Sequence, residues 1–316
     1  MAVQSKAADG AAASALERLV EEYLAACRAR GLAIRTVREA YRYPLHEAFL
    51  PFCAEEGIEE PGQVTARVLD RLTTRLLDDG GRRGALSKFT VASYVRSINA
   101  FLSWARREGE VGGGVKAQAP KLPRRLLDVL SREEIRRLED AAKTERDKLI
   151  VRVLADAGLR VTELTGLRTN DLIERGRKAY LRVRGKGDRE RDVPVMPQLG
   201  RRLRRHVERG RPRGTTSDRV FLGLRRGRSG DHEPLTRSGV DQLIRLLGEE
   251  AGLEKRVHPH LLRHSFATWA LTRGMNPVQL AQIMGHSSLA MIQSVYAHLT
   301  PQDAYAALEQ IVRAEE

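Results

Sequence analysis

"HPHLLRHSFAT", His258–Thr268, sets three histidines and one arginine within seven residues. Three readings compete for such a cluster: a metal site, an anion site, or plain packing. Pro259 suits the first turn of a helix and Gly274 suits its end. With about 100° between successive residues, His260, Arg263, His264 and Ala267 fall on one face, while Leu262, Phe266 and Trp269 fall on an opposite, core-facing one. A polar stripe set apart from the packing stripe argues against a histidine that fills a core gap. His260 and His264 have the i, i+4 spacing of a metal-binding pair, but Arg263 opposes a dication. No Glu takes the base position of an H-E-x-x-H motif, and no nearby Cys or Asp completes a ligand set. Neither a metal nor another cofactor is expected. A phosphate accepts paired hydrogen bonds from a guanidinium and fits the cluster best.

The flanking segments extend that logic. In "NPVQLAQIMGHSSLAMIQSVYAHL", Asn276 and Pro277 open a helix and Gly285 stops it. His286 follows at the turn, and Ser287 or Ser288 caps a further helix that carries Tyr296. His286 can thus point at the same pocket, whereas periodicity alone leaves Tyr296 an ordinary amphipathic-helix residue. Upstream, "DAGLRVTELTGL" puts Arg160 at a helix break with Glu163 one turn later. "KAYLRVRGKGDRERDVPV" reads as two short strands around Gly185-Lys186-Gly187-Asp188, a hairpin whose glycines permit the turn. "RRLRRHVERGRPRG" reads as a solvated helix near phosphate, with Leu203 and Val207 on its apolar side.

The rest of the 316-residue chain bounds the class of protein. Its net charge of +14, from 55 Lys+Arg against 41 Asp+Glu, favours a polyanionic partner, with an arginine-rich coding bias as the competing explanation. Cys27 and Cys53 are the only cysteines; both sit in apolar helical contexts and read as core fillers, with no disulfide framework. There is no secretory leader pattern and no apolar run near the roughly 18 residues of a membrane span. A cytoplasmic protein with no membrane partner is expected.

The chain reads as mainly α, in two domains. Residues 1–14 form a disordered lead-in, and 15–108 a helical module. Its helices open near Ala15, at Thr36 (with Pro44 and Pro51 bending or dividing that helix), at Thr65 and at Ser87. Residues 109–125, with three consecutive glycines and two prolines, form an exposed linker. Ser131 and Glu134 form a capping box that opens a second domain over 126–316.

"AGLRVTEL", "VRGKGDRERDVPV", "HPHLLRHSFAT", "IMGHSSL" and "VYAHL", in this order and spacing, resemble the tyrosine recombinases, the family of phage integrases and Xer-type site-specific recombinases. The N-terminal helices and "PKLPRR" resemble that family's core-binding domain, so the likeness covers nearly the whole chain. It implies an N-terminal helical, SAM-like core-binding domain and a C-terminal mixed α+β catalytic domain with a small antiparallel sheet. Carried over residue by residue, the family's catalytic set falls on Arg160, Lys186, His260, Arg263, His286 and the nucleophile Tyr296, with Glu163 in support of Arg160. Tyr296 stands ten positions after His286, one more than in many members, and Tyr305 on the last helix is the nearest rival.

The activity implied is cleavage and rejoining of double-stranded DNA through a 3′-phosphotyrosyl intermediate, without metal or ATP. The implied assembly is a homo- or heterotetramer on two duplexes, with a partner recombinase or accessory protein where the system has one. The role would be chromosome or plasmid dimer resolution, or integration and excision of a mobile element. A type IB topoisomerase that relaxes DNA, and a non-catalytic DNA-binding protein of the same fold, are the alternatives. The complete set of catalytic residue types weighs against the second.

Overall fold

The computed structural model describes residues 13–79, 85–123, 128–185 and 189–285. The lead-in over 1–12, Lys186, His286, Tyr296 and the last helix with Tyr305 lie outside the described residues. The chain divides into two compact units, Met1–Arg124 and Arg125–Glu316.

The N-terminal unit begins with α1 (Ala15–Ala29). Ser14, expected in the lead-in, already belongs to the fold: its hydroxyl accepts the Glu17 N–H while the Glu17 carboxylate accepts the Ser14 N–H. The next helical run differs from expectation. It opens with α2 (Ile34–Thr36), not at Thr36, and stays helical to the end of α3 (Leu50–Glu55). Wide π-type turns at Val37–Arg42 and Leu45–Phe49 flank Pro44, and Pro51 sits at the start of α3, where the second wide turn gives way to α-helix. Then come α4 (Ala66–Asp78), capped by Thr65, and α5 (Lys88–Arg107), capped by Ser87. Leu16, Val20, Leu24, Phe49, Leu69, Ile98 and Phe101 meet in one core, and Cys27 and Cys53 fill it. The first half of the expected exposed linker belongs here too. Val111 and Ala117 are buried in this core, and the Asn99 amide holds both backbone groups of Ala117 (3.0 and 2.9 Å).

The C-terminal unit opens with α6 (Arg132–Ala141), where Ser131 and Glu134 form the expected capping box. It continues through α7 (Glu145–Asp156) and α8 (Val161–Gly166) into a sheet of β1 (Leu172–Arg175), β2 (Lys178–Arg184) and β3 (Glu190–Val195), all antiparallel in that order. The hairpin read from sequence is β2–β3, with Leu181 opposite Val193. Strand β1 was not expected. Its polar "LIER" hides the alternation, and the two-residue Gly176-Arg177 turn, with Gly176 at φ 61°, joins it to β2. Ala179, Leu181, Val183, Val193 and Val195 give the sheet one buried face.

Next, α9 (Pro197–Arg205) carries the arginine-rich stretch, and that stretch is less solvated than expected. Leu203 is buried, as its place on the apolar side implies, but Arg202 is ion-paired and the His206 ring, also buried, stacks on Phe221. A second hairpin, β4 (Leu222–Arg226) and β5 (His232–Pro234), precedes α10 (Arg237–Glu250), α11 (Pro259–Thr272) and α12 (Pro277–Met284). Among the described residues no helix is long and apolar enough to cross a membrane.

Helix α11 corrects the two-face picture. Leu261 and Leu262 enter the main core, while Phe266, Ala267, Ala270 and Leu271 pack with Leu280, Ala281 and Met284 of α12. The helix is therefore covered on most of its circumference. Ala267 and Arg263, assigned to a polar face, are both buried.

Candidate active site

The site is built where α7 ends and α8 begins. The chain leaves α7 through Gly158, in the left-handed region at φ 60°. A Cβ there would lie 2.4 Å from the Phe266 ring, so glycine is required both for the turn and for the close approach of α11. Arg160 then takes the N-cap position of α8, and Glu163 folds back one turn later. The Glu163 carboxylate accepts the Arg160 backbone N–H through Oε2 and its Nη1 through Oε1, both at 2.8 Å.

Arg263 arrives from α11. It is 5% exposed, and its Nη1 donates to the Gly158 carbonyl (2.5 Å) and its Nη2 to the Met284 carbonyl (2.6 Å). It also lies 3.8 Å from Glu163. The structure therefore brings Arg160, Glu163 and Arg263 together. Arg160, with 32% of its side chain exposed, is the more accessible of the two arginines.

His260 stands one turn before Arg263 with an exposed edge. Burial of the rest of the ring lowers its pKa from the ordinary histidine value. Arg237, His258 and Arg263 add to that effect, with Asp241 opposing. His258 serves the backbone, since its Nδ1 accepts the Leu261 N–H and caps α11. His264 is half-buried.

Lys186, His286 and Tyr296 lie outside the described residues, but the neighbours of the first two are placed. Gly185 is fixed at the base of the hairpin tip, where its N–H donates to the Arg189 carbonyl (2.9 Å). A Cβ on Gly185 would lie 4.0 Å from Glu163 Oε1. Gly285, just before His286, ends α12 at φ 62°, and its carbonyl accepts from Arg160 Nη2 at 2.8 Å.

One member of the cluster escaped the sequence reading. Arg191, on β3, donates from Nη1 and Nη2 to the two Glu163 oxygens, both at 2.9 Å. Glu163 is thus 4% exposed and surrounded by three arginines. Burial alone would raise its pKa. The Arg191 hydrogen bonds, the Arg160 backbone N–H and the Arg191 charge outweigh that and hold it below the usual carboxylate range. For Arg263 the balance goes the other way: burial, with Arg160 and Arg191 adding to it and Glu163 opposing, lowers its pKa to about 9. Among the described residues, three cations against one anion leave an excess of positive charge, which suits an anionic ligand. Among the described residues no group of three or more His, Cys, Asp or Glu could hold a metal ion.

The Phage integrase family matches this chain over residues 128–303, which spans the whole cluster. Tyrosine recombinase XerA of Pyrococcus horikoshii is 31% identical over 293 residues, covering 92% of this chain and 93% of its own length. Tyrosine recombinase XerD of Listeria monocytogenes is 29% identical, covering 86% of this chain and 90% of its own. Among solved structures, a fragment of the Tn1549 transposon integrase in complex with a circular intermediate DNA shares the fold, with a TM-score of 0.70 at 20% identity, over 93% of this chain and 99% of that fragment. A family match over more than half of the chain, joined to a relative 31% identical along almost its full length, makes this protein a member of the phage integrase family, among the tyrosine recombinases.

Proposed function

We propose that this protein is a site-specific recombinase that cuts and rejoins double-stranded DNA. The observation that carries this reading is the convergence of Arg160 and Arg263 on one buried carboxylate, with positive charge in excess. In the reaction Tyr296 attacks a backbone phosphate: its oxygen–phosphorus bond forms, the bond to the 5′-oxygen breaks, and a 5′-hydroxyl leaves. A 5′-hydroxyl of the partner strand then reverses the step. One phosphoester replaces another, so no ATP is consumed, and successive exchanges pass through a Holliday junction.

Each residue takes the role that its chemistry allows. Arg160 and Arg263 hold the charge that builds on the non-bridging oxygens, and His286 adds a donor. Lys186 protonates the leaving 5′-oxygen. His260, kept neutral near pH 7 by its lowered pKa, is able to accept the proton from Tyr296, whose unperturbed pKa of about 10 makes it a poor nucleophile unaided. Glu163 holds Arg160 in place.

The finer reading is four protomers on two duplexes, as a homo- or heterotetramer, with an accessory protein or partner recombinase in some systems. Such work on chromosomal or element DNA belongs in the cytoplasm.

The test uses the purified full-length protein and a duplex selected from a random pool by its binding. A nick beside the cleavage position traps the intermediate. An SDS-resistant protein–DNA adduct is expected in EDTA without nucleotide, from the parent and from Tyr305→Phe, and none from Tyr296→Phe. An adduct from Tyr296→Phe removes Tyr296 from its role. Activity that vanishes in chelator and returns with magnesium or zinc overturns the cationic mechanism.

A further inference from the structure

Arg191 does more than neutralise Glu163. From the described residues the carboxylate takes four hydrogen bonds: Oε1 from Arg160 Nη1 and Arg191 Nη1, and Oε2 from the Arg160 backbone N–H and Arg191 Nη2. Arg191 supplies half of them. Its third donor, Nε, reaches the Ile283 carbonyl at 2.7 Å. That carbonyl is the first of a row. Ile283, Met284 and Gly285 accept one bond each from Arg191, Arg263 and Arg160 (2.7, 2.6 and 2.8 Å). The last carbonyls of a helix have no partner within it and carry its negative pole, so guanidinium groups satisfy them well. Gly285 makes the approach possible: a Cβ there would lie 2.7 Å from Arg191 Nη1 and 2.8 Å from its Cζ.

We propose that Arg191 is a positioning residue for strand cleavage. It clamps Glu163 to the end of α12, so that Arg160, the turn leading into His286 and the strand leaving the Lys186 hairpin are held as one unit. This rests on the recombinase reading above. Arg191 is 16% exposed and, in that reading, touches no reacting atom. Its effect is on rate, through placement. Lysine at this position keeps the charge but offers a single ammonium, which cannot fork onto both Glu163 oxygens and also reach Ile283.

The experiment compares the parent, Arg191→Lys, Arg191→Ala and Tyr296→Phe on the selected, nicked duplex, with thermal melts as the folding control. Arg191→Lys should fold, bind the duplex within about threefold of the parent, and cleave on the order of 10²-fold more slowly in a single turnover, the scale of a misplaced catalytic group. Added guanidinium should restore part of the rate to Arg191→Ala, because it replaces the missing fork. If Arg191→Ala does not fold, the lysine variant decides. Cleavage by Arg191→Lys within about threefold of the parent overturns the proposal. So does a loss of affinity and melting temperature in step with rate, which marks a purely structural residue. A parent that forms no adduct, or a Tyr296→Phe protein that does, brings down the recombinase reading itself and the proposal with it.

Discussion

Around Glu139, three arginines face three carboxylates. Arg202 pairs with Glu139 (2.7 Å) and Glu145 (2.8 Å), Arg152 with Glu139 (2.5 Å) and Asp156 (3.4 Å), and Arg132 with Asp156 (2.5 Å). Around Glu163, among the described residues, three arginines face one carboxylate. Both networks lie in the C-terminal unit and use the same residue types. Their electrostatics point in opposite directions. The pKa of Arg202 is raised, first by its hydrogen bond to Glu145, despite burial. That of Arg263 is lowered to about 9, first by burial and then by Arg160. The first network neutralises itself and ties helices together. The second is left with positive charge that backbone carbonyls only partly offset, so an arriving phosphate improves it. An ion-pair network is therefore read by its charge count before its contacts.

The sharpest way to break that comparison is to truncate one arginine in each network. Arg263→Ala should slow single-turnover cleavage by about 10²–10³-fold or more, the scale of losing one charge-stabilising donor. An equal loss of cleavage in Arg202→Ala, measured per folded molecule, would erase the distinction.

Removing the lone carboxylate comes next. Glu163→Gln leaves three buried or half-buried guanidinium groups without an anion and should cost about 3 kcal/mol, read from urea unfolding at constant slope. The sign of its pH dependence follows from the lowered carboxyl. Glu163 contributes stability above its unfolded pKa of about 4.3 and loses it as pH falls through the lower folded value. The Glu163→Gln protein should lose less stability than the parent over that acidic range.

His260 gives a pH test of the reaction. Its folded pKa lies below the ordinary histidine value, so acidification protonates it late and, on the mechanism proposed above, removes the proton acceptor. Cleavage should therefore fall on an acid limb below about pH 6.5. His260→Gln should lower the rate on the order of 10²-fold and flatten that limb. A limb unchanged in the variant assigns it to another group.

The smallest effect belongs to the balanced network. Arg202→Ala, at a side chain 27% exposed, should lower unfolding free energy by about 1–2 kcal/mol and leave the cleavage rate alone. Calorimetric melts beside the cleavage assay check both halves.

Much of this architecture was legible where the cause is local. Ser131 with Glu134, Thr65, and Asn276 with Gly285 mark helix ends because the capping groups lie within a turn of the amides they satisfy. The β2–β3 hairpin was legible from its alternation and glycines, whereas β1 was not, since "LIER" contributes little to the buried face. The linker misled for a related reason: its glycines are visible in sequence, but the seats that bury Val111 and Ala117 are on other helices.

The sequence by itself determined which residue types could meet. Arg160, Glu163, His260 and Arg263 stand out because motif spacing puts them on helix starts and on one turn of α11. It could show that His260 and Arg263 share a face, but not what covers that face. Only the tertiary structure decided that Arg263 is buried under the Gly158 carbonyl and the end of α12. Only it singled out Arg191 from the 55 Lys+Arg residues, because its partners, Glu163 and Ile283, lie 28 and 92 positions away along the chain. Spacing rules reach as far as one turn or one hairpin; a charge shared by a strand, a helix start and a helix end exists only once the core has folded them against each other.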